Sequence, residues 1–424
     1  MVLAPIVIDV PQRTLSHLVA VGLALLTLAT PAQSQTTRAE AIDMARRDKQ
    51  ARSWPERESP IVRQANELIE RGFKEGVESG YGANGPQVVL GGMRSGQGFS
   101  FGGGYRKTDI WRERIGVRTT ARMTINSAYM VDTRLDFQGL QLGDSFFNVY
   151  AKWEKSPRMD FYGTGPNSQQ DDRSSYLFED FSADAQFGPR LSDHLRIGAT
   201  GGYVTTKTGS GNRPDVPSTT AEFTEREAPG IGIGRIDFVR GGGFLVFDTR
   251  DTPTGTRRGG LLFTGWRQNI DLTHDVFNFQ QADFEVQRFV PFQNESRVIA
   301  LRARTTLSFQ DEGQLVPVFF MPTIGGHDDL RGFPRYRYYD NNSVLLTVEH
   351  RWYVFRGLDA ALFADAGKVI PRKQDLAFGP LHVSVGFGLR TRLRQRIIMR
   401  TEVAVGSEGY QLIWTFSDAL RVKY

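Results

Sequence analysis

The residues of this sequence that are equipped for chemistry are charged, and their spacing is that of an ion-pair set. Arg331 lies in Leu330-Arg331-Gly332-Phe333, at the end of a Gly- and Asp-rich loop, Ile324-Gly325-Gly326-His327-Asp328-Asp329. A strand running to Val354 follows and carries Glu349. The next carries Phe363-Ala364-Asp365-Ala366-Gly367. An arginine at a loop tip is ordinary. One whose loop precedes strands with inward-pointing carboxylates implies a buried ion pair, because a charge removed from water needs an opposite charge beside it. The loop must then fold inside something.

Catalytic patterns are missing from the sequence. There is no Gly-x-Ser-x-Gly nucleophile elbow. Gly230-Ile231-Gly232-Ile233-Gly234 lacks phosphate-loop spacing and suits a strand. His194, His274, His350 and His382 fall on separate elements, with no Ser/His/Asp order. His327-Asp328-Asp329 are adjacent loop residues and read as a hydrated loop, not a metal site. The chain has no cysteine, so disulfides and thiolate metal centres are out of reach. No catalytic residue, metal or cofactor is expected. The net charge of +5 raises the question of nucleic acid, but Lys and Arg are spread along the chain. The one dense patch, Arg390 to Arg400, falls at a strand-turn-strand junction, so no nucleic-acid partner is expected.

The elements that would position these charges come next. Residues 1–34 read as a signal peptide: Arg13 is the positive flank, Leu18 to Ala29 is an apolar run too short to span a bilayer, and Ala32-Gln33-Ser34 offers a cleavage site. Residues 35–85 are charged and poor in strand formers. Ser59-Pro60 is a helix start, after which Ile61, Ala65, Leu68, Ile69 and Phe73 share a face. This short helix either lies at the periplasmic rim or plugs a barrel.

From about Gln87 to Phe416 the pattern alternates with period two. Between Val344 and Val354 the even positions are mostly apolar, and the odd ones include Glu349 and Arg351. Leu381, Val383, Val385, Phe387 and Leu389 oppose His382, Ser384, Gly386, Gly388 and Arg390. Ile397, Met399, Val403 and Val405 oppose Arg396, Arg400 and Glu402. The segments are about ten residues long, as a tilted membrane strand requires, and the polar face carries full charges on successive strands. Such segments begin near Gly98, Arg112, Asn126, Ser145, Ser174, His194, Ile231, Gly242, Gly259, Phe277 and Ser296. With the later ones they predict about sixteen strands. The fold class is therefore all-β: a transmembrane antiparallel β-barrel over residues 86–424, in the bacterial outer membrane, with outer-membrane lipid around it. Polar inserts at Lys207 to Pro229 and Gln310 to Gly332 read as extracellular loops.

These residues resemble the BamA/TamA superfamily, the bacterial surface antigen family of outer-membrane assembly and translocation proteins. Gly243-Phe244-Leu245-Val246-Phe247-Asp248-Thr249-Arg250-Asp251-Thr252-Pro253, with Arg258-Gly259-Gly260, is similar to that family's mid-barrel strand and turn. Leu330-Arg331-Gly332-Phe333 is similar to its loop motif, and Glu349-His350-Arg351 and Phe363 to Gly367 to the two strands that follow. The resemblance implies a loop folded back into the lumen, with Arg331 paired to Asp365 and Glu349. The parity of both acids agrees. Gly409, Leu412, Trp414 and Phe416 resemble the family's C-terminal strand signal, although Ser417 to Tyr424 run on and Tyr424 is the other candidate for its final aromatic.

The family's POTRA domains have no counterpart in residues 35–85, which are too short and too strand-poor. The glycines between Ser95 and Tyr105, taken as the first strand, fit a weak seam with the last strand, or simply permit curvature. The function the resemblance implies is insertion or translocation of a polypeptide or lipid at the outer membrane. A passive transport pore is the alternative, and a structural subunit or homodimer a third.

Overall fold

The computed structural model describes residues 84–424, apart from 95–96, 112–113, 138–143, 294–295, 356, 373–379, 394–395, 417–419 and 421–424. The chain divides into two units, Met1–Arg57 and Glu58–Tyr424, and every described residue belongs to the second. The expected signal peptide and the helix after Ser59 lie outside the described residues.

The alternating segments form one antiparallel sheet of sixteen strands. In order these are β1 (Gly85–Gly92), β2 (Phe99–Ile110), β3 (Ile115–Thr124), β4 (Tyr129–Phe137), β5 (Ser145–Phe161), β6 (Ser174–Pro189), β7 (Leu195–Ser210), β8 (Arg235–Asp248), β9 (Gly259–Asp271), β10 (Phe279–Phe292) and β11 (Arg297–Phe309). After a loop hairpin of β12 (Thr323–Ile324) and β13 (Tyr338–Tyr339), the sheet resumes with β14 (Asn342–Phe355), β15 (Leu358–Ile370), β16 (His382–Leu393), β17 (Arg396–Gly406) and β18 (Gly409–Thr415). The period of two sorts the side chains. On β15, Leu362 is 51% exposed, whereas its neighbour Phe363 is 5% and Asp365 is fully buried. Val383, Val385, Phe387 and Leu389 of β16 all face outward. An apolar outer face and a charged inner one are what a barrel wall in lipid requires.

Three details depart from the sequence reading. The segments assigned near Ile231 and Gly242 yield one strand, β8, and Gly230 to Gly234, which suited a strand, lie in the connection before it. Its glycines Gly241, Gly242 and Gly243 sit in ladder register with Gly201, Thr200 and Ala199, inside the strand. The glycine run Gly102–Gly104 belongs to β2. The edge strand is β1, whose Val88-Val89-Leu90 core is too short to stand out by alternation. Most strands also exceed ten residues, and the longest lie together: β5 has 17, and β6 and β7 have 16 each.

That extra length builds an apolar cap. At the loop ends of β5 to β10, inward positions turn from charged to apolar: Phe161, Phe178, Phe238 and Phe279 are buried. Ala228 and Ile231 from the β7–β8 connection and Val316, Val318 and Met321 from the β11–β12 connection pack against them. These two inserts read as polar loops, yet their few apolar residues close one core, because wall aromatics supply the other half of it.

The sheet has two ends. Among the described residues β1 is laddered only to β2, and β18 only to β17. The ends approach each other where Trp414 of β18 stacks on Phe99 of β2, ring centroids 6.3 Å apart. Tyr410 and Leu412 are over 70% exposed, more than the other large apolar strand residues described, as an edge strand without a second neighbour would be. Phe416 follows β18 directly, its ring 4.9 Å from that of Trp414, and Tyr424 lies outside the described residues. Beyond Phe416 the chain turns inward: Leu420 is buried against Phe289, Val298 and Ala300, and its carbonyl accepts a bond from Gln287 Nε2 at 2.9 Å.

If the outer face lies in lipid, Leu362→Arg should lower the folding free energy by about 2–4 kcal/mol in vesicles, as read by urea titration. A loss under about 0.5 kcal/mol would show that β15 does not face hydrocarbon.

Candidate functional site

The site is the inner wall of β14 to β17 together with the loop between β11 and β14. The loop first folds on itself: Thr323 pairs with Tyr339 and Ile324 with Tyr338. Its apolar side, Ile324, Leu330, Phe333 and Tyr338, then packs on Leu345 and Val369 of the wall. Gly332 explains why the motif needs a glycine beside its arginine. A Cβ there would lie 2.6 Å from the Ser384 side chain and 2.7 Å from the Gly406 backbone. Only a residue without a side chain lets the loop backbone lie flat on the wall. Phe333 occupies the matching space, where a Cβ on Gly406 would meet its ring at 2.7 Å.

This close approach delivers Arg331 to the acids. Its Nε and Nη2 donate to the two carboxylate oxygens of Asp365, both at 2.8 Å, and its backbone N–H reaches Asp365 Oδ2 at 3.3 Å. Nη1 donates to Glu349 Oε1 at 2.6 Å. The guanidinium lies over the Phe363 ring, 3.4 Å from its centroid. Arg331 is 1% exposed and both acids are fully buried. Burial opposes the charge on Arg331, and Asp365 and Glu349 outweigh it, so its pKa is raised above the ordinary arginine value. The geometry is bidentate and dry, the form in which an arginine–carboxylate pair is strongest.

The network reaches further than the sequence reading took it. Glu349 also accepts from Arg351 Nε at 2.7 Å and from Arg390 Nη2 at 2.8 Å. Glu402 of β17 lies 3.6 Å from Arg331 and accepts from Arg390 at 3.2 Å and from Arg400 at 2.7 Å. Arg390 and Arg400 are cross-strand partners, and both are buried. Their signal was present, since parity puts Arg390, Arg400 and Glu402 on the inward face. Density along the chain made them look like a surface patch instead. His327-Asp328-Asp329 is likewise no hydrated loop. Arg400 donates to the His327 carbonyl at 3.0 Å, Arg302 donates to the Asp328 carbonyl at 2.9 Å, and Arg304 pairs with Asp329 at 3.0 Å.

The remaining sequence candidates sit elsewhere. Asp248 and Arg250 form a bidentate pair within the β8–β9 turn, at 2.9 and 2.8 Å. Gly367 faces Leu345 in the β14–β15 ladder. Gly409, Leu412 and Trp414 form the free edge, with Phe416 just past it. Across the lumen a cavity of about 580 Å³ remains, lined by Arg240, Arg267, Arg304, Asp184, Asp283 and Glu285 among others. Among the described residues no cluster of His, Asp and Glu is arranged to hold a metal.

Comparison with known proteins places the chain. The Omp85 superfamily domain model matches residues 129–395, more than half of the sequence. The chain belongs to the Omp85 superfamily. No curated protein matches it in sequence. Among solved structures the Omp85 barrel is similar to BamA from Haemophilus ducreyi lacking POTRA domains 1-3, with 14% identity and a TM-score of 0.59, covering 87% of this chain and 81% of that one. It is also similar to CdiB from Escherichia coli, with 12% identity and a TM-score of 0.53, covering 77% of this chain and 61% of CdiB. The chain thus spans less than two thirds of CdiB's length, and these likenesses concern the fold.

Two predictions follow from the geometry. Arg331→Ala should destabilise by about 3–5 kcal/mol, because it leaves buried carboxylates uncompensated. Asp365→Asn should resemble it, and the double variant should cost clearly less than the sum. Strictly additive losses in a urea-unfolding cycle would mean that the two residues do not interact.

Asp340 offers a pH test. It is 4% exposed at the base of the loop. Its Oδ1 accepts from the Asn341 N–H, and its Oδ2 has no hydrogen-bond partner. Burial pushes its pKa up to about 6. A raised carboxyl pKa means stability is highest below the unfolded value near 4 and falls as pH rises through about 6. Asp340→Asn should therefore stabilise the barrel at pH 7.5, by on the order of 2 kcal/mol, and leave it unchanged at pH 4. A stability gain that is equal at both pH values would show that the carboxyl titrates normally.

Proposed function

We propose that this Omp85 barrel sits in the bacterial outer membrane and moves or inserts a polypeptide or lipid there, with the lumen loop as a structural latch. The observation that carries this reading is a contrast. The lumen is occupied by a loop locked through Arg331 and capped by packed aromatics, whereas the strand order ends at β1 and β18 with no ladder between them among the described residues. A route straight through the barrel would have to break the cap and a buried ion network. A sideways route between β1 and β18 meets ring contacts such as Trp414 on Phe99. The similarity to BamA supports the reading at the level of fold.

Passive transport is the second reading, and the charged cavity of about 580 Å³ favours it. Planar-bilayer conductance separates the two. The latch reading expects little conductance in the native protein and an increase in Val318→Asp, which places an unpaired charge in the cap where Val318 is fully buried. A large, steady native conductance that Val318→Asp leaves unchanged would favour the pore.

Cysteines introduced at Val88 of β1 and Leu412 of β18, both on the outer face, test the sideways route in cells. Oxidation should reproduce the outer-membrane defect of depleting the protein, and reductant should reverse it. A crosslink with no defect would argue for a static barrel.

A further inference from the structure

The loop carries two more arginines just beyond the motif, and they reach in different directions. Arg337 is 1% exposed. Its Nε and Nη2 engage the Glu408 carboxylate at 2.8–2.9 Å, and Glu408 lies in the hairpin between β17 and β18. Tyr338 supports it by donating its hydroxyl to Glu408 Oε1 at 3.1 Å. The guanidinium also holds Ser168 of the β5–β6 connection, by its hydroxyl at 2.9 Å and its carbonyl at 2.6 Å, and stacks between Tyr162 and Tyr338 at 4.7 and 4.4 Å.

Arg335 turns toward the other end of the sheet. Its Nη1 donates to the backbone carbonyl of Met93, the residue that follows β1. Met93 is 4% exposed, and its neighbour Arg94 is tied to Glu154 of β5 at 2.8 Å and lies over Phe178 at 4.6 Å. The end of β1 is thereby drawn into the lumen and fixed from inside.

We propose that Arg335 and Arg337 make the loop a strap across the seam, holding the end of β1 through the Met93 carbonyl and the start of β18 through Glu408. The two edge strands share no ladder among the described residues, so a tie through a third element is a means of keeping them in register. The strap is separate from the Arg331 latch. Arg331 fixes the loop to the wall of β14 to β17, and Arg335 and Arg337 use the fixed loop to hold the two edges. An Arg–carboxylate pair shielded by two tyrosine rings is stronger than an exposed one, yet it is still a side-chain contact that can be released without unfolding a strand. The inference goes beyond the proposed activity, because it describes the resting seam and holds whether or not any client passes.

The test is a distance measurement on full-length protein in detergent and in vesicles. Spin labels at Val88 and Leu412 report the seam. Labels at Val239 and Ile270, direct partners in the β8–β9 ladder, report the wall. Glu408→Gln removes the charge with little change in shape, and Arg335→Ala removes the tie to β1. The expected result is a longer, broader seam distribution in each variant and a wall distribution unchanged from the native protein. Restoration of the native seam distance by Arg337→Glu combined with Glu408→Arg would add support. Seam distances unchanged in both variants would overturn the strap. So would equal broadening at seam and wall, which would mean that the substitutions loosen the whole barrel. Arg331→Ala, measured alongside, separates the two ideas. If it alone loosens the seam while Glu408→Gln and Arg335→Ala do not, the latch stands and the strap falls.

Discussion

The structure depends on keeping the Arg331 guanidinium paired after it has left water. An unpaired charge at that depth is far costlier than any single contact the loop makes elsewhere, so wherever Arg331 goes its carboxylates must already be. This explains why the acids come from one stretch of the wall, β14 to β17. Asp365 is on β15, Glu349 on β14 and Glu402 on β17, and their inward parity aims all of them at one point. It also explains the neighbours of the arginine. Gly332 lets the backbone reach the wall, and Leu330 and Phe333 bury apolar surface on either side of the charge.

The charges balance locally. Arg331, Arg351, Arg390 and Arg400 contribute four positive charges, and Asp365, Glu349, Glu402 and Asp328 four negative ones. Asp328 comes from the loop itself. Withdrawing the loop removes Arg331 and Asp328 together, so the count of charges is kept while the pairing is not. Withdrawal leaves three wall arginines facing three wall acids, which stays neutral but loses the pairing to Asp365. Buried ion networks of this sort are modest contributors to net stability and strong enforcers of one arrangement. That is what a loop threaded through a lumen needs.

Much of this was legible in the sequence, for reasons that can be located. Strand parity is a local property. Leu362, Phe363 and Asp365 sort themselves by position alone, and so the barrel and the inward direction of both acids could be read, whereas the count of sixteen was reached because β8, taken as two segments, offset the missed β1. Arg331 was legible because a motif fixed its place. What could not be read depends on contacts distant in sequence. The cap combines Phe161, Phe238 and Val318 from three separate segments, and none of those segments is apolar enough to announce it. Arg390 and Arg400 read as a basic patch because Glu349, the partner of Arg390, and Asp328, a partner of Arg400, lie 41 and 72 residues away. The edge strand β1 escaped notice because eight residues leave too few alternations, and the glycines of β2 drew attention one strand too far along.

The same distinction bears on how a barrel of this kind can be rigid and still part at one place. Ladder bonds act locally and uniformly, and every neighbouring pair from β1 to β18 has them. Had the last junction been laddered too, opening it would require breaking backbone hydrogen bonds in lipid, where an unsatisfied group costs several kcal/mol. Side-chain ties from a central loop can hold that junction instead. These ties lie on the lumen side of the wall, so parting them leaves no backbone group unsatisfied in lipid. The free edge of β18, the inward-held end of β1 and the arginines of the loop then form one arrangement, in which the seam is closed from within and the lipid face carries only apolar contacts such as Trp414 on Phe99. On the proposed strap, release would start at the loop, whose Arg335 and Arg337 reach both edges.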